Sequence, residues 1–182
     1  MDDAYAARLR ARCGIHQTQA LILHNIHLFG DELGEKQGYG VRGLEAVALF
    51  LLQRDGTPPE RTLLYKIDHL GLLLAKEIRG WKSPEDAVDL TGNSIEAWRW
   101  RQIEADAILD YSTVCFGDAL GQREDLGGLE GEEALRFYLV QKHNWHPADV
   151  SVLSVQALRD LLKVEMRGWT MTDQQIAATK PE

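Results

Sequence analysis

The sequence predicts an all-α fold built from two tandem helical repeats of about 88 residues each. Apolar residues recur at helical spacing, and no stretch alternates apolar and polar residues between turn signals, as a half-buried strand would. Residues 40–81 also align without a gap on residues 128–169, with 14 of 42 positions identical. We therefore expect repeats at 1–91 and 92–182, packed as one compact unit with approximate twofold symmetry.

Composition and charge indicate the class of protein and the partners to expect. The chain is 45% hydrophobic and 26% charged, with 5 prolines, which is typical of a globular protein rather than a disordered or membrane one. The net charge is 20 − 28 = −8, which argues against nucleic acid and anionic membranes as partners. Two distant cysteines and the absence of a signal-peptide pattern favour a cytoplasmic location.

The first helix is predicted over residues 15–28, where apolar side chains fall near one face. Gly30 and Gly34 interrupt that pattern. They belong to a motif, Phe-Gly-Asp-x-Leu-Gly, that recurs at 116–121. The motif has neither the lysine nor the preceding strand of a phosphate-binding loop, so we interpret it as a helix stop.

The second helix of the first repeat is predicted over residues 44–54, which are apolar nearly all round and end at an Asp-Gly pair. Such a helix is buried by its neighbours. A third helix begins at the prolines of 58–59 and runs to Gly80.

Two capping signals refine the prediction in the second repeat. Ser154 is a candidate N-cap, so residues 147–153 form a separate turn before a helix over 155–167. Thr172 begins a capping-box pattern for a short fourth helix. Ser83 opens the equivalent helix of the first repeat.

A repeated Arg-Gly-Trp motif follows the third helix of each repeat. A tryptophan beside a cation is a candidate recognition anchor, but glycine just past a helix end favours a left-handed cap on which the next apolar residue packs. We therefore predict structural caps, formed by Arg79, Gly80, Trp81, Arg167, Gly168 and Trp169.

A candidate metal half-site lies on the first helix. His24 and His27 are three residues apart, and Asp31 follows four residues later, which is a spacing that gathers ligands on one helix face. The second repeat carries Tyr111 and Val114 at the histidine positions, so a metal would need further ligands from elsewhere. Surface or partly buried imidazoles are the alternative.

Acidic residues concentrate at the start of the second repeat. Residues 118–133 contain six acidic groups against one arginine, or 1 − 6 = −5, whereas residues 31–45 contain four against two basic groups, or 2 − 4 = −2. A solvated loop is one interpretation, and a docking face for a basic protein is the other. The candidate docking residues are Asp118, Glu124, Asp125, Glu130, Glu132 and Glu133.

Together these features favour a non-enzymatic intracellular protein-protein interaction module, such as an adaptor, an assembly chaperone or an acidic inhibitor, built as a fused pseudo-dimer. No nucleophile signature supports covalent catalysis, no catalytic residues are assigned, and no cofactor is expected. Two alternatives stay open. One is a helical-bundle metal protein or enzyme, and the other is a nucleic-acid-binding regulator.

Overall fold

A computed structural model describes residues 3–84 and 95–180. Within these ranges the chain is helical, without a strand, which confirms the prediction of an all-α fold. The helices are α1 (Asp3–Gln37), α2 (Gly43–Asp55), α3 (Pro59–Thr62), α4 (Ile67–Leu73), α5 (Ala75–Ile78), α6 (Ile95–Arg123), α7 (Gly131–His143), α8 (Pro147–Ser151), α9 (Val155–Leu161) and α10 (Asp173–Ala177).

The contacts divide the chain into two compact units. The central unit is Gln19–Ala105, and the composite unit joins Met1–Thr18 to Asp106–Glu182. The two long helices, α1 and α6, therefore contribute residues to both units. The repeats expected at 1–91 and 92–182 stay a prediction.

The predicted end of the first helix near Gly30 is wrong, because α1 begins at Asp3 and continues through Gly30 and Gly34 to Gln37. These glycines do not end the helix; they leave space for the backbone of the segment that packs against it. A Cβ on Gly30 would lie 2.1 Å from the carbonyl oxygen of Gly43. In α6, a Cβ on Gly117 would lie 2.1 Å from the carbonyl oxygen of Gly131. Each glycine thus lets the first residue of α2 or α7 lie against a long helix.

Helix α2 confirms the buried helix predicted over residues 44–54. Ala46, Val47 and Leu51 are fully buried in it. The helix ends at Gly56, whose φ of 73° is left-handed and whose N–H is bonded to the carbonyls of the last turn. Helix α7 ends in the same manner at Asn144, with φ 56°.

The single third helix predicted from residue 58 to Gly80 is wrong, since this segment forms α3, α4 and α5. The backbone of Lys66 is extended, with φ −60° and ψ 150°, so the helix stops and restarts there. In the second repeat the N-cap prediction is confirmed, because the Ser154 hydroxyl accepts from the N–H of Ala157 at 3.1 Å. Helix α9 is shorter than predicted and ends at Leu161.

The capping box at Thr172 is also confirmed, with both reciprocal hydrogen bonds to Gln175 present at the start of α10. The helix predicted to open at Ser83 falls largely on residues 85–94, which lie outside the described residues.

Each unit has its own apolar core. The central core consists of Ile26, Phe29, Leu33, Val47, Leu51, Leu70 and Leu74. The main core of the composite unit includes Phe116, Leu120, Leu135, Leu139, Val150, Leu158 and Leu162. A tryptophan completes each core by an edge-to-face contact, Trp81 on Phe29 at 5.6 Å and Trp169 on Phe116 at 5.5 Å between ring centroids.

In the part of the chain that the structure describes, no helix combines the length and the apolar character needed to cross a membrane.

Candidate functional site

Asp118, the first candidate docking residue, is a buried structural carboxylate. It is 7% exposed, forms an ion pair with Arg12 of α1, and accepts a hydrogen bond of 2.8 Å from the N–H of Gly131. Both contacts hold the beginning of α7 against the long helices. Although burial raises the pKa of Asp118, the Arg12 charge and hydrogen bonds oppose that rise.

Further acidic residues of the segment 118–133 are paired with cations that come from outside it. Glu130 lies 3.2 Å from Arg8 and 3.3 Å from Arg12. Glu132 lies 2.7 Å from Arg136, one turn further along α7. The charge of −5 counted along the sequence is thus partly offset by arginines of α1 and α7.

The remaining candidates lie at the edge of this network. Glu124 contacts its neighbour Arg123 at 3.1 Å and Lys142 at 3.8 Å. Asp125 and Glu133 are exposed, and neither forms an ion pair with any residue that the structure describes. These two carboxylates are the members of the predicted set that remain free to meet a partner.

A second acidic group, which the sequence analysis missed, lies on α6. Asp106 and Asp110 are one helical turn apart, and Glu132 of α7 also acts on Asp110. Burial, followed by the charges of Asp106 and Glu132, raises the pKa of Asp110 from 3.8 to about 7, against the lowering effect of Arg159. Two carboxylates at i and i+4 on one helix are the sequence signal that indicates such a pair.

This acidic group has a physical consequence for the free protein. Near neutral pH, Asp110 either holds a proton or carries a charge that burial and like charges disfavour. A cationic group placed beside Asp110 favours its charged form, because the attraction offsets both the cost of burial and the repulsion from the neighbouring carboxylates. Arg136 pairs with Glu132, and Arg159 offsets part of the charge at Asp106 and Asp110, so any further cation would act mainly on Asp110.

The central unit carries no acid at the corresponding places, which lie 87 or 88 positions earlier in the sequence. The four residues there are Gln19, Leu23, Leu44 and Gly71, in place of Asp106, Asp110, Glu132 and Arg159. The acidic surface is thus a property of the composite unit.

The candidate metal half-site does not assemble. Asp31 forms an ion pair with Arg99 and accepts a 2.8 Å hydrogen bond from the N–H of Gly43. Burial, followed by the Arg99 charge, lowers the pKa of His27 to about 4. His24 is 3% exposed and packs against the Trp100 ring. In residues 3–84 and 95–180, no three His, Cys, Asp or Glu side chains converge as ligands.

The Arg-Gly-Trp motifs form turns in which glycine has the left-handed backbone that the cap interpretation requires. Gly80 has φ 79° and Gly168 has φ 78°. At the first motif, Arg79 has φ −57° and ψ 119°, and the N–H of Trp81 donates to the carbonyl of Ile78 at 2.9 Å. This geometry is a type II turn after α5 rather than a helix cap.

The two turns share their backbone hydrogen bond and the packing of their tryptophan rings. The N–H of Trp169 donates to the carbonyl of Met166 at 3.0 Å, as in the first motif. Both tryptophan rings pack on a core phenylalanine, which favours a structural role for them. Arg167 is exposed, and its side chain makes no ion pair or hydrogen bond with the described residues.

The cysteines are not arranged as nucleophiles. Cys13 and Cys115 are both buried and unbridged. Burial raises the pKa of Cys13, and it raises that of Cys115 to about 11. A thiol with a raised pKa holds its proton near neutral pH and is a weak nucleophile.

Comparison of the chain with protein-family models, with curated proteins and with solved structures finds no match.

Proposed function

We propose that the protein is a non-enzymatic interaction module that binds a basic protein through the acidic surface of its composite unit. This surface is formed by Asp106 and Asp110 of α6 and by Glu132 of α7, while Asp125 and Glu133 are exposed acids of the same unit. Asp118 and Glu130 act within the protein, where they position α7 through Arg12. An adaptor, an assembly chaperone and an acidic inhibitor all fit this description.

The observation that carries the proposal is the raised pKa of Asp110, about 7, which is caused first by burial and then by the like charges of Asp106 and Glu132. A lysine or arginine of a partner would supply the missing counter-charge. Close charge pairs of this kind add affinity, and the surrounding field accelerates encounter with a basic surface. We expect the affinity to increase between pH 6 and pH 8, because partner binding requires the charged form of Asp110.

We further propose that the chain is a duplicated unit that forms a fused pseudo-dimer. Two ion pairs support this proposal. Arg12 of the first predicted repeat pairs with Asp118 of the second, and Arg99 of the second pairs with Asp31 of the first. Such reciprocal pairing is expected when two identical surfaces meet about a twofold axis. The twofold relation itself, and a cytoplasmic location, stay predictions.

The function is tested by affinity capture with three versions of the full chain. The first is the unchanged protein, and the second carries Asp106→Asn and Asp110→Asn. The third carries Glu45→Gln and Glu60→Gln, two exposed acids of the central unit. Both variants shift the formal net charge equally, from −8 to −8 + 2 = −6, and capture at pH 8, where Asp110 is mostly ionised, keeps the real shifts close, so they separate a specific surface from a general charge effect.

We expect one basic protein to be retained by the unchanged chain and by the Glu45/Glu60 variant, with about tenfold less retained by the Asp106/Asp110 variant. Equal retention by all three versions contradicts the proposed surface. Metal analysis of the purified protein and binding to DNA at low salt test the two alternative classes of function.

A further inference from the structure

A groove in the composite unit carries a concentration of positive charge; of its cations, Arg159 also acts on Asp106 and Asp110 of the acidic surface. Its volume is about 290 Å³, and Arg159, Lys163 and Arg167 line it together with Ser112 and Trp169. None of its lining residues, all of which the structure describes, is acidic. Three cations in one small groove repel one another, and an anionic ligand would offset that repulsion.

The central unit shows what this groove would be without those charges. A groove of about 400 Å³ lies there at the equivalent positions, 87 or 88 residues earlier. Gly71 and Ala75 stand in place of Arg159 and Lys163, while Arg79 matches Arg167. The central groove is therefore mainly apolar, and two of the three cations are particular to the composite unit.

The three cations differ in how firmly they are held by other groups. Lys163 is paired with Asp160 at 2.9 Å, but both side chains are exposed, by 72% and 59%, so the pair contributes little and can be exchanged. The charge of Arg159 interacts with those of Asp106 and Asp110 and acts to lower the pKa of both carboxylates. Arg167 has no counter-ion among the described residues, which leaves it available to an external anion.

We infer that this groove binds a small organic phosphate. A phosphate monoester carries about two negative charges near neutral pH, whereas a carboxylate ligand carries one. Three cations therefore attract the phosphate monoester more strongly. Arginine binds phosphate oxygens in a bidentate manner, and the Ser112 hydroxyl is a further donor on the groove wall. Leu109 and Trp169 offer apolar surface to the organic part of the ligand.

The inference is tested with phenyl phosphate as the probe, added to ¹⁵N-labelled full-length protein in an NMR titration. Inorganic phosphate and benzoate are the comparison ligands. The first lacks the organic part, and the second replaces the phosphate by a carboxylate. We expect phenyl phosphate to shift the signals of Ser112, Lys163 and Trp169, and to bind at least about fivefold more tightly than either comparison ligand.

Variants then identify the cations responsible. Arg167→Gln and Lys163→Gln each should weaken phenyl phosphate binding by about tenfold, because each removes a charge-assisted hydrogen bond. Arg79→Gln is the matched control in the central groove and should leave binding unchanged. All three side chains are exposed, so we expect the substitutions to preserve the fold. NMR spectra of the free variants check this.

Four results would overturn the inference. They are the absence of phenyl phosphate binding, equally tight binding of inorganic phosphate or benzoate, signal shifts confined to other regions, and an equal loss of affinity in the Arg79→Gln variant. Failure here is distinguishable from failure of the proposed function, since the capture experiment uses a different ligand and substitutes Asp106 and Asp110 rather than Lys163 or Arg167; Arg159, which acts on both carboxylates, is substituted in neither experiment.

Discussion

The central and composite units use the same contacts to build their helices and differ in the surface that they present. In the central unit, Asp31 joins Arg99 to the first N–H of α2. In the composite unit, Asp118 joins Arg12 to the first N–H of α7, and the hydrogen-bond length is again 2.8 Å. An aspartate that satisfies one arginine and one backbone donor, buried at Asp118 and half-buried at Asp31, is thus a structural element of both units.

The surfaces diverge where no such contact is required. Asp106, Asp110 and Arg159 in the composite unit stand where the central unit has Gln19, Leu23 and Gly71. Because the shared contacts maintain the fold, these positions are free to vary with function. The shared residues therefore explain stability, and the differing residues are where we expect binding.

The largest expected effect is the loss of close approach at a helix glycine. Gly30→Ala places a methyl group 2.1 Å from a backbone oxygen that cannot move away cheaply, so we expect the free energy of unfolding to fall by about 3 kcal/mol or more. Gly14→Ala in the same helix meets no atom within 4 Å and should raise it by up to about 1 kcal/mol. Urea denaturation measures both, and equal effects would show that Gly30 is not a contact point.

The shared aspartate should come next. Asp118→Ala leaves Arg12 and the N–H of Gly131 without their partner, and we expect a loss of about 3 kcal/mol. Asp118→Asn keeps an acceptor for the N–H and should lose less. At Asp31, alanine should likewise lower the free energy of unfolding more than asparagine does. A neutral Asp118→Ala variant in chemical denaturation would contradict this account of both units.

A substitution in the acidic surface should stabilise the protein, in contrast to the substitutions at Gly30 and Asp118. The pKa of Asp110 is raised from 3.8 to about 7, so the folded state holds its proton between about pH 4 and pH 7 and becomes less stable as the pH rises through that range. Asp110→Asn should therefore stabilise the protein by up to about 4 kcal/mol at pH 8, the value that corresponds to a shift of about three pKa units, and by little at pH 4. Thermal unfolding at the two pH values measures the difference, and a destabilised variant at pH 8 would be inconsistent with it.

The smallest effect is expected at the Arg-Gly-Trp turns. Gly80→Val and Gly168→Val should each lower the free energy of unfolding by about 1 to 2 kcal/mol, because φ near 79° and 78° is unfavourable for a branched side chain. Asparagine at either position tolerates this backbone and should cost less. Denaturant midpoints that do not change with valine would show that the turns adapt.

Local signals predicted the elements that depend on local interactions. The Asp-Gly stop after α2, the Ser154 cap and the Thr172 capping box were each readable because the residues that form them are adjacent in the sequence. Gly30 was misread as a helix stop, since its reason for being glycine is the backbone of Gly43 beside it.

The candidate site was harder to predict for the same physical reason. The acidic segment 118–133 was conspicuous by its sequence charge, but Arg12 lies 106 residues from Asp118 and 118 residues from Glu130. Only the folded chain shows that these arginines offset part of that charge. Asp106 and Asp110 stand out only when burial and the position of Glu132 are known.

The most direct test of the acidic surface is the titration of the Asp110 side chain by NMR, with its carboxyl carbon as the reporter. In the unchanged protein we expect a pKa of about 7, and in the Asp106→Asn variant a lower value, because one of the like charges is removed. A pKa near 4 in the unchanged protein, unaffected by Asp106→Asn, would show that these carboxylates are already compensated and would contradict the proposed binding surface.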